Sequence, residues 1–274
     1  MDIKDFEEMW SKASSGDLTI SRNFWDSRAE EFNNSTLREE SQKRLADVID
    51  YLVSKGMLHK EAEVLDIGCG PGRYSMEFAR RAKRVTGLDI SPKMIQYAME
   101  NGKKAGLDNV CFKLISWEEL ALEEQNWIKK FDLVFAAMCP GINSRETLMK
   151  MIQASKRFCF MSSFANRTDK IKDALCGEVL GQRVEYRWGT GIYCAFNILW
   201  HSGFFPEICY HDVKWENVWS LEKAIDLYSF QLDKGGKSDI EIKKKIESYL
   251  TDISENGMIK ETTEAKIAWM YWEV

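Results

Sequence analysis

The sequence predicts a doubly wound α/β fold built on a mostly parallel sheet. A short apolar strand, Val64–Ile67, runs into glycines at alternate positions, Gly68, Gly70 and Gly72, and then into a helical pattern. A second strand, Arg84–Asp89, ends in an acid, and Ser91-Pro92 after it reads as an N-cap and first helical position. Strand and helix patterns keep alternating beyond that point, which implies right-handed parallel crossovers.

Residues 1–57 read as a helical cap. Phe24–Phe32 is amphipathic, with Phe24, Trp25, Arg28 and Phe32 on one face; Gln42–Val53 turns Leu45, Val48, Ile49 and Leu52 inward. The core is expected over 58–215. After strand one comes a helix from Gly72 to Ala82, then strand two, then a helix from Pro92 to Ala105 ended by Gly106. Met94, Ile95, Ala98 and Met99 supply its apolar face. Strand three is Val110–Ile115 and strand four Phe131–Ala137. A helix follows from Arg145, capped by Ser144, with Leu148, Met151, Ile152 and Ser155 inward; strand five is Phe158–Ser163. Lys170–Leu180 and Ile192–His201 read as helices, Ile208–Val213 as a strand, and Glu222–Leu232 and Ile240–Ile253 as two helices. Ala265–Trp272 is the last strand, rich in Trp and Tyr.

The glycine spacing bears on the ligand. A dinucleotide fingerprint, Gly-x-Gly-x-x-Gly, sets a pyrophosphate against a helix N-terminus. Here the third glycine comes one residue early and Asp66 precedes the loop. A carboxylate there would repel a pyrophosphate and suit an ammonium or sulfonium group. Asp89 at the tip of strand two suits ribose hydroxyls.

Val64-Leu-Asp-Ile-Gly-Cys-Gly-Pro-Gly72, Gly87-Leu-Asp-Ile-Ser-Pro-Lys-Met94 and Phe131-Asp-Leu-Val-Phe135 together resemble the class I S-adenosylmethionine-dependent methyltransferases of small-molecule type. The resemblance implies a Rossmann-like, seven-stranded sheet whose last two strands form an antiparallel pair. Residues 1–274 then make a single methyltransferase domain, with a helical insertion over 216–260 and the last strand over 261–274. Such an insertion serves as a lid, as a dimer element that leaves a homodimer open, or as surface decoration.

The resemblance also implies S-adenosyl-L-methionine as cofactor and a set of residues that hold it. Gly68, Cys69, Gly70 and Gly72 bring backbone against the methionine part, and Asp66 faces its ammonium directly or through water. Asp89 takes the ribose hydroxyls, Ile90 packs on the adenine, and Met94 is a further cofactor-binding residue. Ser116 stands where the family often has an Asp for the adenine amino group, and Trp117 packs on the base. Ala136 and Ala137 are small enough to lie beside the methionine chain.

The acceptor side begins at Met138-Cys-Pro-Gly-Ile-Asn143. Cys139 is the candidate catalytic residue there, and three roles are open to it. It is a packing side chain, a ligand for a soft acceptor such as a thiol or metalloid, or a nucleophile of the RNA cytosine type. That last type has Pro before Cys, whereas the order here is Cys139-Pro140. Trp25, Arg28, Asn143, Phe164, Asn166, Arg167, Trp188 and Tyr193 are further pocket candidates, able to stack an aromatic acceptor or cage a cationic amine. No general base is evident; His201 and His211 read as structural.

Composition narrows the partners. The chain has 274 residues, 45% of them apolar, enough for one large α/β domain with decorations or for two smaller ones. Its net charge is −5, and the basic clusters at 80–84 and 243–245 sit in mixed-charge segments. That argues for a small-molecule acceptor and against nucleic acid, whose partners carry a basic stripe. Seven cysteines without a Cys-x-x-Cys, and three histidines without ligand spacing, indicate no metal site and a reduced, cytoplasmic setting. No stretch is apolar enough for a signal peptide or a membrane span. Two other functions fit the pattern: an NAD(P)-dependent oxidoreductase, and a non-catalytic cofactor-binding or scaffold module of the same fold.

Overall fold

The computed structural model describes residues 1–13, 17–36, 39–179, 181, 188–232 and 240–274. The chain divides into two compact units, one of residues 1–163, 189–210 and 268–274, the other of residues 164–188 and 211–267.

In the first unit, helices α1 (Ile3–Ala13), α2 (Leu18–Ser35) and α3 (Glu39–Ser54) precede the sheet. Asp17 caps α2, accepting from the Thr19 N–H at 2.8 Å. The core then runs β1 (Glu63–Ile67), α4 (Arg73–Ala79), β2 (Arg84–Asp89), α5 (Pro92–Lys104), β3 (Val110–Leu114), β4 (Phe131–Ala137), α6 (Arg145–Ala154) and β5 (Ser155–Asp169). After α7 (Lys170–Ala174) and a π-helical turn, Leu175–Val179, come α8 (Thr190–His201), β6 (Glu207–Ser220), α9 (Leu221–Leu232), α10 (Ile240–Ile253) and β7 (Met258–Glu273). The strands form one seven-stranded sheet in the order β3-β2-β1-β4-β5-β7-β6. The pairings β3–β2, β2–β1, β1–β4 and β4–β5 are parallel.

Parallel strands are covered on both faces, so they read as continuous apolar runs. Val64, Leu65 and Ile67 of β1 and Leu133, Val134 and Phe135 of β4 are fully buried. Phe135 stacks on Phe160 of β5 at 4.9 Å and meets Phe78 of α4 edge-on at 4.9 Å. The expected caps form. Ser91 Oγ accepts from the Met94 N–H at 3.1 Å, and Ser144 makes a capping box with Thr147. Between β3 and β4 the chain makes turns instead of a helix, held by buried Leu120, Leu122 and Trp127.

The second unit has its own core, in which Ile171, Leu175, Trp219, Tyr228, Ile246, Leu250 and Ile259 are buried together. On the opposite face β6 and β7 carry a charge ladder: Asp212 with Lys266, Lys214 with Glu264 at 3.2 Å, and Glu216 with Lys260 at 3.0 Å. Partner numbers fall on β7 as they rise on β6, so these strands run antiparallel.

Three expected boundaries move. β5, β6 and β7 all run longer than their apolar stretches, because outward-facing charged residues continue each strand. The helices between β6 and β7 therefore occupy 221–253, and 216–220 and 258–260 are strand, not insertion. Ser155, expected on the inner face of α6, instead opens β5, where its hydroxyl donates to the Phe158 carbonyl at 2.9 Å. The helix expected over Lys170–Leu180 changes to π geometry at Leu175, and its expected end at Leu180 lies outside the described residues.

Candidate functional site

The loop after β1 is tied to the end of β2. The Gly68 and Cys69 N–H groups both donate to the Leu88 carbonyl, at 2.8 and 2.9 Å. The Gly70 N–H donates to Asp89 Oδ2 at 2.9 Å, and the Ser91 N–H to Asp89 Oδ1 at 2.9 Å. One carboxylate thus holds the glycine loop and the turn into α5 together. Each of its oxygens keeps lone-pair capacity for a further donor.

The three glycines, all at positive φ, meet different surroundings. A Cβ at Gly68 would lie 2.6 Å from Cys139 Sγ, and one at Gly72 would meet Phe112 at 3.0 Å and Ala98 at 3.2 Å. At Gly70 the nearest atom would be Met94 Sδ at 3.9 Å. Gly68 and Gly72 admit protein neighbours, and Gly70 alone has room above it.

Asp66 is buried at the end of β1 and accepts from Ser75 Oγ at 2.5 Å. Burial pushes its carboxyl up to about 7, and the nearby Asp89 adds to the rise. Burial raises Asp89 as well, opposed by the N–H donors of Ser91 and Gly70. Two acids converge on the loop, an environment that favours a cation. Cys69 in the loop and Met94 on α5 are buried, Ile90 is half-buried beyond β2, and Ala136 is buried near the end of β4.

Beyond β3, the Ser116 hydroxyl donates to Glu118 Oε2 at 2.9 Å. Glu118 Oε1 accepts from Asn143 Nδ2 at 3.3 Å, so the loops after β3 and β4 meet on this carboxylate. Trp117 is only 2% exposed and its indole N–H donates to the Thr147 carbonyl at 3.0 Å, which sets the ring against α6. Met138 opens the next loop at φ 54, a left-handed conformation strained for a side chain this size. Cys139 follows, half-buried against Gly68, and burial pushes its thiol up to about 12. It is a neutral thiol at physiological pH, not a ready nucleophile.

On α2, Arg28 lies over the rings of Phe24 and Phe32, at 5.6 and 5.2 Å, and pairs with Glu31; Trp25 meets both rings edge-on. Asp26, which pattern reading passed over, accepts from Ser91 Oγ and from the Lys93 N–H at 3.1 Å, docking α2 on the start of α5. Asn101 completes the attachment, donating to Asn33 at 2.8 Å and to the Pro71 carbonyl at 3.0 Å. Tyr193 on α8 is half-exposed and meets Phe6 edge-on at 5.8 Å; His201 lies beside the same Phe6.

The pocket candidates do not all fall in one unit. Trp25, Arg28, Cys139, Asn143 and Tyr193 belong to the first, whereas Phe164, Asn166, Arg167 and Trp188 belong to the second. Glu118 and Asp26 were missed. The available signal was an acid two residues after Ser116, and an acid between Trp25 and Arg28 on the helix facing the loop.

Residues 58–182 match a family model described as a methyltransferase domain. The chain is similar in fold to magnesium protoporphyrin IX methyltransferase from Synechocystis PCC 6803, crystallised with bound S-adenosylhomocysteine. The TM-score is 0.52 and the identity 21%, covering 72% of this chain and 93% of that one. It is 31% identical over 120 residues to a 23S rRNA (uracil(1939)-C(5))-methyltransferase from Shewanella sediminis, covering 43% of this chain and 25% of the relative. It is 36% identical over 76 residues to a ubiquinone biosynthesis O-methyltransferase from Xylella fastidiosa, covering 28% of this chain and 30% of the relative. The chain thus spans between a quarter and a third of the length of these two curated relatives. Among the described residues no helix is long and apolar enough to cross a membrane. Residues 58–182 are thus a methyltransferase domain, carrying the acid-flanked glycine loop within the strand order of that fold.

Proposed function

We propose that this protein binds S-adenosylmethionine over Gly70 and transfers its methyl group to a small-molecule nucleophile, at N, O or S. The Asp89 carboxylate carries the reading. It organises the loop through the Gly70 and Ser91 N–H groups and retains acceptor capacity for two ribose hydroxyls. The open space at Gly70 and the buried carboxyl of Asp66, which an approaching cation would help to ionise, fit a ligand with a cationic amino-acid tail.

The cofactor, when bound, supplies an electrophilic methyl group on a sulfonium. The chain's part is to position and to exclude water, which in well-oriented systems is worth roughly 7–11 kcal/mol. Asp66 balances the ammonium and Asp89 orients the ribose. Ser116 donates to Glu118 and keeps its own lone pairs, so the pair offers acceptors to an adenine amino group in place of the acid that position 116 lacks. Cys139, protonated and packed on Gly68, shapes the wall of the loop.

The net charge of −5 favours a small molecule over RNA. The test has two stages. S-adenosylhomocysteine should raise the melting temperature and NADH should not; the reverse would return the chain to nicotinamide chemistry. Turnover with methyl-labelled cofactor is then measured on thiol, amine, phenol, arsenite and RNA panels. Label in RNA alone would overturn the small-molecule reading, and no product on any panel would favour a non-catalytic module.

A further inference from the structure

The second unit holds a cation enclosed by aromatic rings. The Arg167 guanidinium lies 5.2 Å from the ring centre of Phe164, 5.3 Å from that of Trp188 and 5.4 Å from that of Trp215. Phe164 and Trp215 stack, and Trp188 meets Phe164 edge-on at 5.6 Å. The cage is therefore already filled by the protein's own cation, and a cationic amine has no place in it.

One edge of the guanidinium faces a carboxylate, with a hydrogen bond from Nη2 and an ion-pair contact at Nε. Arg167 Nε lies 2.9 Å from Asp169 Oδ2, and Nη2 donates to Asp169 Oδ1 at 3.1 Å. Asp169 is itself buried and fixed by the Thr263 hydroxyl at 2.8 Å. Nη1 has no hydrogen-bond partner among the described residues, and the Arg167 side chain is 24% exposed. A second cation faces the same indole: Lys172 Nζ lies 5.9 Å from the Trp188 ring centre. Lys172 has no carboxylate partner among the described residues. Asp169 pairs with Arg167 and the buried Glu261 also interacts with it, so the charge open to an anion beside this indole, which is 36% exposed, is that of Lys172.

We propose that Trp188, Lys172 and the open edge of Arg167 form a binding site for an aromatic carboxylate. The ligand's ring stacks on the exposed indole, and its carboxylate takes donors from the Arg167 Nη1 and the Lys172 ammonium. A planar anion matches an arginine edge better than a spherical one, and a guanidinium pinned by Asp169 loses little freedom on binding. The site lies within the second unit and is read by binding, so it stands or falls apart from the methyl-transfer reading.

The probe is 2-naphthoate, titrated calorimetrically into the full chain saturated with S-adenosylhomocysteine, so that occupancy of an adenosyl site does not register. Neutral 2-naphthalenemethanol and non-aromatic cyclohexanecarboxylate should each bind at least about tenfold more weakly. Trp188→Leu should lower naphthoate affinity about tenfold and Lys172→Gln about threefold. Lys172 makes one aromatic contact and no ion pair among the described residues, so its variant should melt close to the parent and decides the matter if Trp188→Leu destabilises. Equal affinity for the alcohol would reduce the site to a greasy surface, and equal affinity for the cyclohexyl acid to general anion attraction. Either result overturns the proposal, as does the absence of naphthoate binding or an unchanged affinity in Lys172→Gln.

Discussion

Cys139 Sγ fills the space that a side chain at Gly68 would occupy, 2.6 Å from where that Cβ would sit. The first glycine of the loop is thus required by a protein neighbour as well as by its φ of 69. Gly68→Ala should cost about 2–4 kcal/mol, from the left-handed backbone and from overlap together. Adding Cys139→Ala should recover at least about 1 kcal/mol, since it removes the sulfur and leaves the backbone strain. Denaturant melts of the two single variants and the double variant measure this; additive losses would mean the two residues do not share that space.

Asp89 joins the loop to the candidate ribose site. Asp89→Ala should weaken S-adenosylhomocysteine binding at least about tenfold, through lost ribose contacts and a loosened Gly70. Calorimetric titration is the check, and an affinity equal to the parent's removes Asp89 from the ribose role.

Asp66 sets a pH dependence. Its folded-state carboxyl lies near 7, above the ordinary value of 3.8, so the folded chain holds a proton that the unfolded chain has released. Stability of the unliganded protein should therefore fall as pH rises from about 4 to about 7, and Asp66→Asn should flatten that slope. A ligand ammonium prefers the ionised carboxylate, so S-adenosylhomocysteine affinity should climb as pH rises through 7. Melting and titration series across pH 5 to 8 on both proteins test the pair of signs; a parent affinity that falls over this range would contradict the ammonium assignment.

The Cys139 thiol, pushed up to about 12, should be slow to alkylate. At pH 8 its reaction with iodoacetamide should run at least about a hundredfold slower than that of a free thiol. Peptide mass analysis over time reads this site by site. Rapid labelling of Cys139 would reopen a nucleophilic role.

Local signals made much of the core legible. Ser91-Pro92 and Ser144 mark two helix starts because capping is a contact between residues three apart. β1 and β4 stand out because strands covered on both faces have nowhere to put a polar side chain. β6 and β7 were underestimated for the opposite reason: half their residues, such as Asp212, Lys214 and Glu264, face outward and look like loop. Asp66 and Asp89 were found from their positions at strand ends. Glu118 and Asp26 were not, because each acts on a partner far along the chain.

By itself, the sequence determined a parallel α/β core, the acid-flanked glycine loop and the carboxylate at the end of the second strand. These depend on residues within one turn or one strand of each other. The tertiary structure alone decided that Gly70 has open space while Gly68 faces Cys139 and Gly72 faces Ala98. It also decided that Ser116 and Asn143 meet on Glu118, and that Phe164, Trp188 and Trp215 close around Arg167. Such contacts arise when separate loops and strands are brought side by side, and no spacing along the chain encodes that distance.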